Sequence, residues 1–73
     1  MTDAEIIAAI RQHAEQNYER DGWDFLVECW SDADVADAAG LADRPRPGLV
    51  GALDRCHRAV KYLDEYRSEI QSA

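Results

Sequence analysis

The spacing of apolar residues near the N-terminus predicts a first helix. Between Ile6 and Tyr18, apolar side chains recur every three or four residues, which places them on one helical face. Thr2 and Glu5 have the spacing of a capping box, in which each side chain binds the backbone N–H of the other residue. Asp21-Gly22 is a turn signal. We therefore expect the first helix to run from about Asp3 to Glu19.

The C-terminal third of the chain predicts the longest helix. Its apolar residues recur at three or four positions, interrupted only at Arg67, and form one stripe: Val50, Leu53, Cys56, Val60, Leu63 and Ile70. Asp54 and Arg58 stand four residues apart, in the order that favours an ion pair on a helix surface. This helix should run from about Leu49 to Gln71. The segment Ala42 to Gly48 before it contains two prolines, which exclude helix there.

The middle segment WDFLVECW, Trp23 to Trp30, is rich in residues that strands also favour. A strand would mix Asp24 and Glu28 with the apolar Leu26 on one face. A helix instead places Asp24 and Glu28 one turn apart and leaves the other positions apolar. No second strand is evident, and a lone strand cannot satisfy its backbone. The pattern therefore predicts a short, largely buried helix.

Residues 31–40 complete the predicted fold. Ser31 is a good N-cap, acidic residues follow it in the first turn, and Gly40 is a natural helix terminator. The elements together predict an all-α fold, a small bundle of three to four helices with a long C-terminal helix, in a single domain over residues 1–73. A chain of this length buries only about 60% of its unfolded surface. Homodimerisation, or folding with a partner, is therefore an alternative.

The charge of the chain is unevenly distributed. The net charge is −7, with ten acidic and two basic residues in positions 1–40 but five acidic and six basic residues in positions 41–73. A field of this sign repels nucleic acid and anionic membranes, and it attracts basic protein surfaces over a long range. The simpler interpretation is that the acidity only keeps a small protein in solution.

The acidic half also contains both tryptophans and the single phenylalanine, within the segment from Asp21 to Gly40. An aromatic anchor inside a charged rim is typical of interface hot spots. We therefore expect a partner-binding surface made of Asp21, Asp24, Glu28, Trp30, Asp32, Asp34 and Asp37. Trp30, at the end of its helix, is the tryptophan expected to be exposed. Carboxylates one turn apart can also imitate a track of phosphates. The alternative is an ordinary solvated face above a core of aromatic rings.

A second hypothesis is a DNA-binding protein. Residues 31–61 resemble a helix-turn-helix in which Ala36-x-x-x-Gly40 precedes a basic helix carrying Arg55, Arg58 and Lys61. The segment DRPRPG is longer than the usual turn. The acidic residues of the preceding helix would also lie beside DNA phosphates, and the charge of +1 over residues 41–73 falls short of the usual basic footprint. Direct nucleic-acid binding is therefore the less favoured hypothesis.

Catalysis and metal binding find little support in the sequence. The soft ligands are His13, Cys29, Cys56 and His57, and no pair of them has zinc-type spacing. We therefore expect no enzyme activity, no cofactor and no metal. No apolar stretch is long enough to span a bilayer, and the N-terminus lacks the features of a signal peptide. The expected location is the cytoplasm, where both thiols stay reduced.

The segment NYERDGWDFLVECWSDADVADA, Asn17 to Ala38, resembles the short acidic proteins encoded by phages and other mobile elements. The likeness covers about a third of the chain and includes no functional signature. It implies an inhibitor of host machinery, of the kind that anti-CRISPR proteins represent, which acts by stoichiometric binding. The expected partner is a nucleic-acid-handling protein with a basic surface. The resemblance assigns no role to any individual residue.

Overall fold

A computed structural model describes the backbone of residues 1–72 and the side chains of residues 1–67. Within residues 1–72 the chain forms four helices and no strand: α1 (Asp3–Gln16), α2 (Trp23–Cys29), α3 (Asp32–Ala39) and α4 (Leu49–Ser72). The predicted all-α fold with a long C-terminal helix is confirmed. The helical assignment of WDFLVECW is also confirmed.

Helix α1 begins as predicted but ends earlier. Thr2 is its N-cap, and Thr2 and Glu5 form the reciprocal capping box. The backbone hydrogen bond from Thr2 to the Glu5 carboxylate holds the pKa of Glu5 below its ordinary value. The helix stops at Gln16 rather than Glu19, with Asn17 as its C-cap, and both the side chain and the backbone N–H of Asn17 donate to the carbonyl of His13, at 2.9 and 3.1 Å. Tyr18, predicted on the apolar face, therefore lies beyond the helix and is exposed.

Helices α2 and α3 are separated by two residues only. Trp30 is the C-cap of α2, and Ser31 is the N-cap of α3. Ser31 and Asp34 form a second capping box, and Gly40 ends α3 in the left-handed conformation, with φ of 73°. These local predictions are confirmed. Helix α2 is nevertheless less buried than predicted, because only Trp23 and Leu26 are buried and Cys29 is exposed.

The connection from α3 to α4 is fixed to the rest of the bundle. Leu41 is buried, and Arg46 pairs with Asp3 and donates to the carbonyl of Met1. The connection therefore packs against the start of α1. Helix α4 then begins at Leu49, as predicted.

The predicted apolar stripe of α4 is correct over its first half, with one exception. Cys56 and Val60 are buried, but Val50 is 83% exposed. Val50 stands in the first turn of α4, where no other helix covers it, and Ala52 takes the buried position instead. The predicted stripe residue Ile70 lies outside the described side chains.

All four helices contribute to one core. The buried apolar side chains among the described residues are Ile6, Ile10, Ala14, Trp23, Leu26, Val35, Ala39, Leu41, Ala52, Cys56 and Val60. Helix α2 comes close to α4 at Gly22, where an added Cβ would collide with the carbonyl oxygen of Val60. Gly22 also has φ of 82°, a conformation that side chains disfavour. A glycine at this position therefore allows Trp23 to enter the core.

Candidate protein-binding surface

The two tryptophans of helix α2 lie in different environments. Trp23, at its first residue, is 3% exposed and packs between two histidines. The ring of His57 stacks on the indole at 5.5 Å and 11°, and the ring of His13 meets it edge-on at 5.1 Å. Both histidines are distant from Trp23 in sequence. This arrangement, which sequence reasoning missed, makes Trp23 a structural residue.

Trp30, at the other end of α2, is half-buried and lines a surface groove. Its indole meets the ring of Phe25 edge to face, with ring centroids 6.4 Å apart. The groove has a volume of about 420 Å³. We call it the aromatic groove, and its lining residues are Phe25, Cys29, Trp30, Asp34, Asp37, Ala38 and Ala59. As predicted, Trp30 is the more exposed of the two tryptophans.

Arg11 of helix α1 fixes the backbone at Trp30. Its Nη2 donates to the carbonyl oxygen of Trp30 at 2.8 Å, and its Nε donates to the carboxylate of Asp32 at 2.8 Å. Together with the Ser31 cap, these bonds hold the junction between α2 and α3. Sequence reasoning did not find Arg11, whose only signal is that it is one of two basic residues among the first forty.

Two of the predicted acidic residues lie beside Trp30 in the aromatic groove. Asp34 and Asp37 stand three residues apart on α3, so both project from the same side of that helix. Asp34 also accepts the backbone hydrogen bond of Ser31 at 3.0 Å, which fixes its carboxylate. Asp37 is exposed one turn further on. The structure thus brings Trp30, Asp34 and Asp37 together.

Asp21 and Asp24 lie elsewhere, at the other end of α2. Asp21 is 3.1 Å from the Nε2 atom of His57, and Asp24 is 3.6 Å from Arg67 of helix α4. The hydrogen bond from Arg67 to Asp64, with Asp24 nearby, raises the pKa of the Arg67 guanidinium. Both aspartates line a separate hollow that shares no residue with the aromatic groove. Their charges contribute to the overall field, and each carboxylate has a polar partner on α4.

The carboxylates of Glu28 and Asp32 also accept hydrogen bonds from other side chains of the chain. The Tyr18 hydroxyl donates to the Glu28 carboxylate, and this bond to a charged acceptor raises the pKa of Tyr18. Asp32 holds Arg11, as described above. The seven predicted site residues therefore divide into three that line the aromatic groove and four that pair with other parts of the chain.

The structure also shows the surroundings of the basic residues in the helix-turn-helix hypothesis. Arg55 pairs with Asp43 at 2.7 Å, Arg58 pairs with Asp54 at 3.1 Å, and Lys61 is exposed. The preceding helix α3 presents its acidic side to the surface. A phosphate backbone approaching α4 would therefore have to replace two carboxylates that already hold these arginines.

The cysteines and histidines form no common centre in the part of the chain whose side chains are described. Cys56 is buried among apolar residues, and burial raises the pKa of its thiol to about 11. Cys29 is exposed in the aromatic groove. Among these residues, no group of three or more potential metal ligands occurs. No helix in the same range has the length and apolar character needed to cross a bilayer.

The fold and this surface together define a small acidic protein that has four helices within residues 1–72 and carries an aromatic groove. Carboxylates of α3 line this groove together with apolar and aromatic side chains. Compared with known proteins, the chain matches no family model, no curated protein and no solved structure.

Proposed function

We propose that the chain is a small protein-binding module that docks a basic partner surface through the aromatic groove. The observation that supports this proposal is the half-buried pair of Trp30 and Phe25 beside Asp34 and Asp37. Large, rigid aromatic side chains supply contact area at a low entropic cost, and tryptophan is enriched among binding hot spots. The carboxylates add charge pairing at the edge of the same contact.

The chemistry of the groove favours arginine or lysine in the partner. A cationic head can lie over the indole face of Trp30 while it pairs with Asp34 or Asp37. Because Arg11 and the Ser31 capping box fix this region, little side-chain freedom would be lost on binding. The net charge of −7 would steer a basic partner toward the protein.

The proposed role is stoichiometric inhibition of a nucleic-acid-handling host protein, as in mobile-element inhibitors. The partner surface would be one that otherwise binds nucleic acid, so the two ligands would compete. Binding rather than turnover is proposed because the aromatic groove is a surface depression. The residues that line it include the Cys29 thiol but no histidine of the kind that activates a thiol nucleophile. The helix-turn-helix alternative draws no comparable support, since Arg55 and Arg58 are already paired.

Affinity capture with matched variants would test this proposal. The immobilised chain, Trp30→Ala and Asp37→Lys would be exposed to extract from the host cells. Glu15→Lys is the matched control, because Glu15 is exposed on α1 and the charge change is the same. A specific partner should bind the wild type and Glu15→Lys, and it should be lost with Trp30→Ala and Asp37→Lys. Circular dichroism would verify that all four proteins are folded.

The captured protein would then be purified and titrated with the chain in the presence of nucleic acid. Competition with nucleic acid and a 1:1 endpoint would support the inhibitor role. A partner that binds Asp37→Lys as well as the wild type would refute the groove as the docking site. Binding of duplex DNA by the chain itself, weakened by Arg58→Glu, would instead favour the helix-turn-helix hypothesis.

A further inference from the structure

A second depression lies at the opposite end of α2 from the aromatic groove, between the end of α1 and the first turns of α4. It has a volume of about 350 Å³ and shares no lining residue with the aromatic groove. We call it the arginine pocket, and its lining residues include Arg20, Asp21, Trp23, Val50, Leu53 and Asp54. Its volume falls at the small end of the range for ligand-binding pockets. The arginine pocket is therefore large enough for one small molecule.

Arg20 differs from the other arginines of the chain. The six arginines that hold a carboxylate or a backbone carbonyl are Arg11, Arg44, Arg46, Arg55, Arg58 and Arg67. Within residues 1–67, the exposed side chain of Arg20 makes no hydrogen bond and no ion pair. A guanidinium presents its N–H groups in a fixed fork that matches a carboxylate. The pocket thus offers an unused binding group for a carboxylate.

Two carboxylates in the same pocket each keep an oxygen atom without a partner. The Oδ2 atom of Asp21 is 3.1 Å from His57, and the Oδ2 atom of Asp54 is 3.1 Å from Arg58. Neither Oδ1 atom takes part in a hydrogen bond within residues 1–67. A ligand that carried only a negative charge would be repelled by both aspartates and by the net charge of −7. A zwitterion can satisfy Arg20 and the aspartates together.

The third component of the pocket is apolar. Val50 is 83% exposed in the first turn of α4, and it lines the pocket together with the partly buried Leu53 and with Trp23. An apolar group placed here would cover the valine side chain and remove apolar surface from water. The pocket therefore favours a ligand with an apolar part beside its charged groups.

The backbone at Asp21 also distinguishes this pocket. Asp21 has φ of 49°, a left-handed conformation that is uncommon for residues other than glycine, and Gly22 follows with φ of 82°. Backbone strain of this kind clusters at ligand-binding sites. Here it accompanies the contact of the Asp21 carboxylate with His57 at the edge of the pocket.

We propose that the arginine pocket binds a free α-amino acid with an apolar side chain. Arg20 pairs with the carboxylate of the ligand, Asp21 and Asp54 accept hydrogen bonds from its ammonium group, and its side chain covers Val50. Such a ligand is neutral overall, so the net charge of the protein does not repel it. The site shares no residue with the aromatic groove and is independent of the function proposed above. Because the contacts are few, the affinity is weak, with a dissociation constant on the order of millimolar.

Nuclear magnetic resonance titration of the full chain with L-leucine would test the proposal. The amide signals around the pocket should shift and saturate. N-acetyl-leucine lacks the ammonium group and isoamylamine lacks the carboxylate, so each should bind about tenfold more weakly or worse. The absence of a saturable shift with leucine would overturn the proposal. Equal binding of leucine and isoamylamine would also overturn it, because the carboxylate would then play no part.

Variants would assign the charged contacts. Arg20→Gln should raise the dissociation constant of leucine by about tenfold or more, and Arg20→Lys should recover only part of the loss because the paired hydrogen bonds are not restored. Lys61→Gln is the matched control, since it removes an exposed positive charge outside the pocket. Arg20 holds no partner within residues 1–67, so its variants should unfold at the wild-type temperature.

Asp54→Asn should weaken the binding of leucine but not that of N-acetyl-leucine, which has no ammonium group to pair with the carboxylate. Leucine binding that is unaffected by Arg20→Gln, or weakened equally by Lys61→Gln, would exclude the arginine pocket as the site.

Discussion

The two ends of helix α2 carry the same side chain and use it for different purposes. At the first residue, Trp23 is enclosed by His13 and His57, and the nearby Asp21 and Asp24 are paired. Seven residues later, Trp30 remains half-exposed in the aromatic groove. One short acidic segment thus supplies a core residue at one end and a surface anchor at the other.

The physical reason for this difference lies in what precedes and follows the helix. Gly22 lets the start of α2 approach the backbone of α4, so the Trp23 indole is drawn into the core. At the other end, the chain leaves the helix in an extended conformation at Trp30 and starts α3 immediately. The second indole therefore stays at the junction of two helices, where no third element covers it completely.

The largest expected effect is a difference in the free energy of unfolding between variants of the two tryptophans. Trp23→Ala should lower the free energy of unfolding by about 3–5 kcal/mol, because it removes a buried aromatic side chain. This is a large share of the roughly 5–10 kcal/mol expected for a domain of this size. Trp30→Ala should cost about 1 kcal/mol, since the side chain is only half-buried. Urea unfolding followed by circular dichroism would measure the free energy of unfolding of both variants. Equal losses of stability would contradict the assignment of Trp23 to the core and Trp30 to the surface.

The second prediction concerns the close approach that buries Trp23. Gly22→Ala should destabilise the protein by about 2 kcal/mol, because the new methyl group meets the carbonyl of Val60 at a positive φ. Gly48→Ala is the matched control, since a Cβ there would meet no atom within 4 Å. Thermal unfolding of the two variants should differ clearly. A Gly22→Ala protein as stable as Gly48→Ala would show that α2 and α4 approach less closely.

The third prediction concerns the support of Trp30. Arg11→Ala should lower the free energy of unfolding by about 1–2 kcal/mol, because it removes a charged donor from a part-buried carbonyl and from Asp32. The tryptophan emission should also shift to longer wavelength as Trp30 becomes more hydrated. Arg20→Ala, which removes an exposed arginine outside the helices, serves as the control. The same emission spectrum in both variants would exclude this role for Arg11.

The smallest expected effect is electrostatic and concerns Tyr18, which links the end of α1 to α2 through Glu28. Because the folded state raises the pKa of Tyr18, its hydrogen bond stabilises the protein fully below about pH 10, the ordinary tyrosine value. That contribution should be lost as the pH rises through the folded pKa. Glu28→Gln should lower the pKa of Tyr18 in an ultraviolet titration. An unchanged titration curve would show that the contact does not form in solution.

The local features of this fold could be predicted from the sequence. The Thr2–Glu5 spacing, Ser31 and Gly40 act through neighbours within three or four residues, so their signals are contained in short segments. The apolar spacing of α4 likewise identifies Cys56 and Val60 as buried. Trp30 was predicted to be the more exposed tryptophan because it stands at the end of a short helix, which is also a local feature of the sequence.

The remaining features depend on contacts between distant residues. Arg11 meets the carbonyl of Trp30 across nineteen positions, and His57 meets Asp21 across thirty-six. No periodicity encodes such pairs, because they depend on how the helices pack. For the same reason the sequence predicted one acidic surface, whereas the carboxylates that precede Ser31 are mostly engaged by partners on other elements.

The direct junction between α2 and α3 has a consequence for how the chain tolerates changes in length. With Trp30 ending one helix and Ser31 starting the next, an inserted residue would separate the two walls of the aromatic groove and break the contact with Arg11. A change of chain length should therefore be rejected at this junction, which fixes the spacing between α2 and α3.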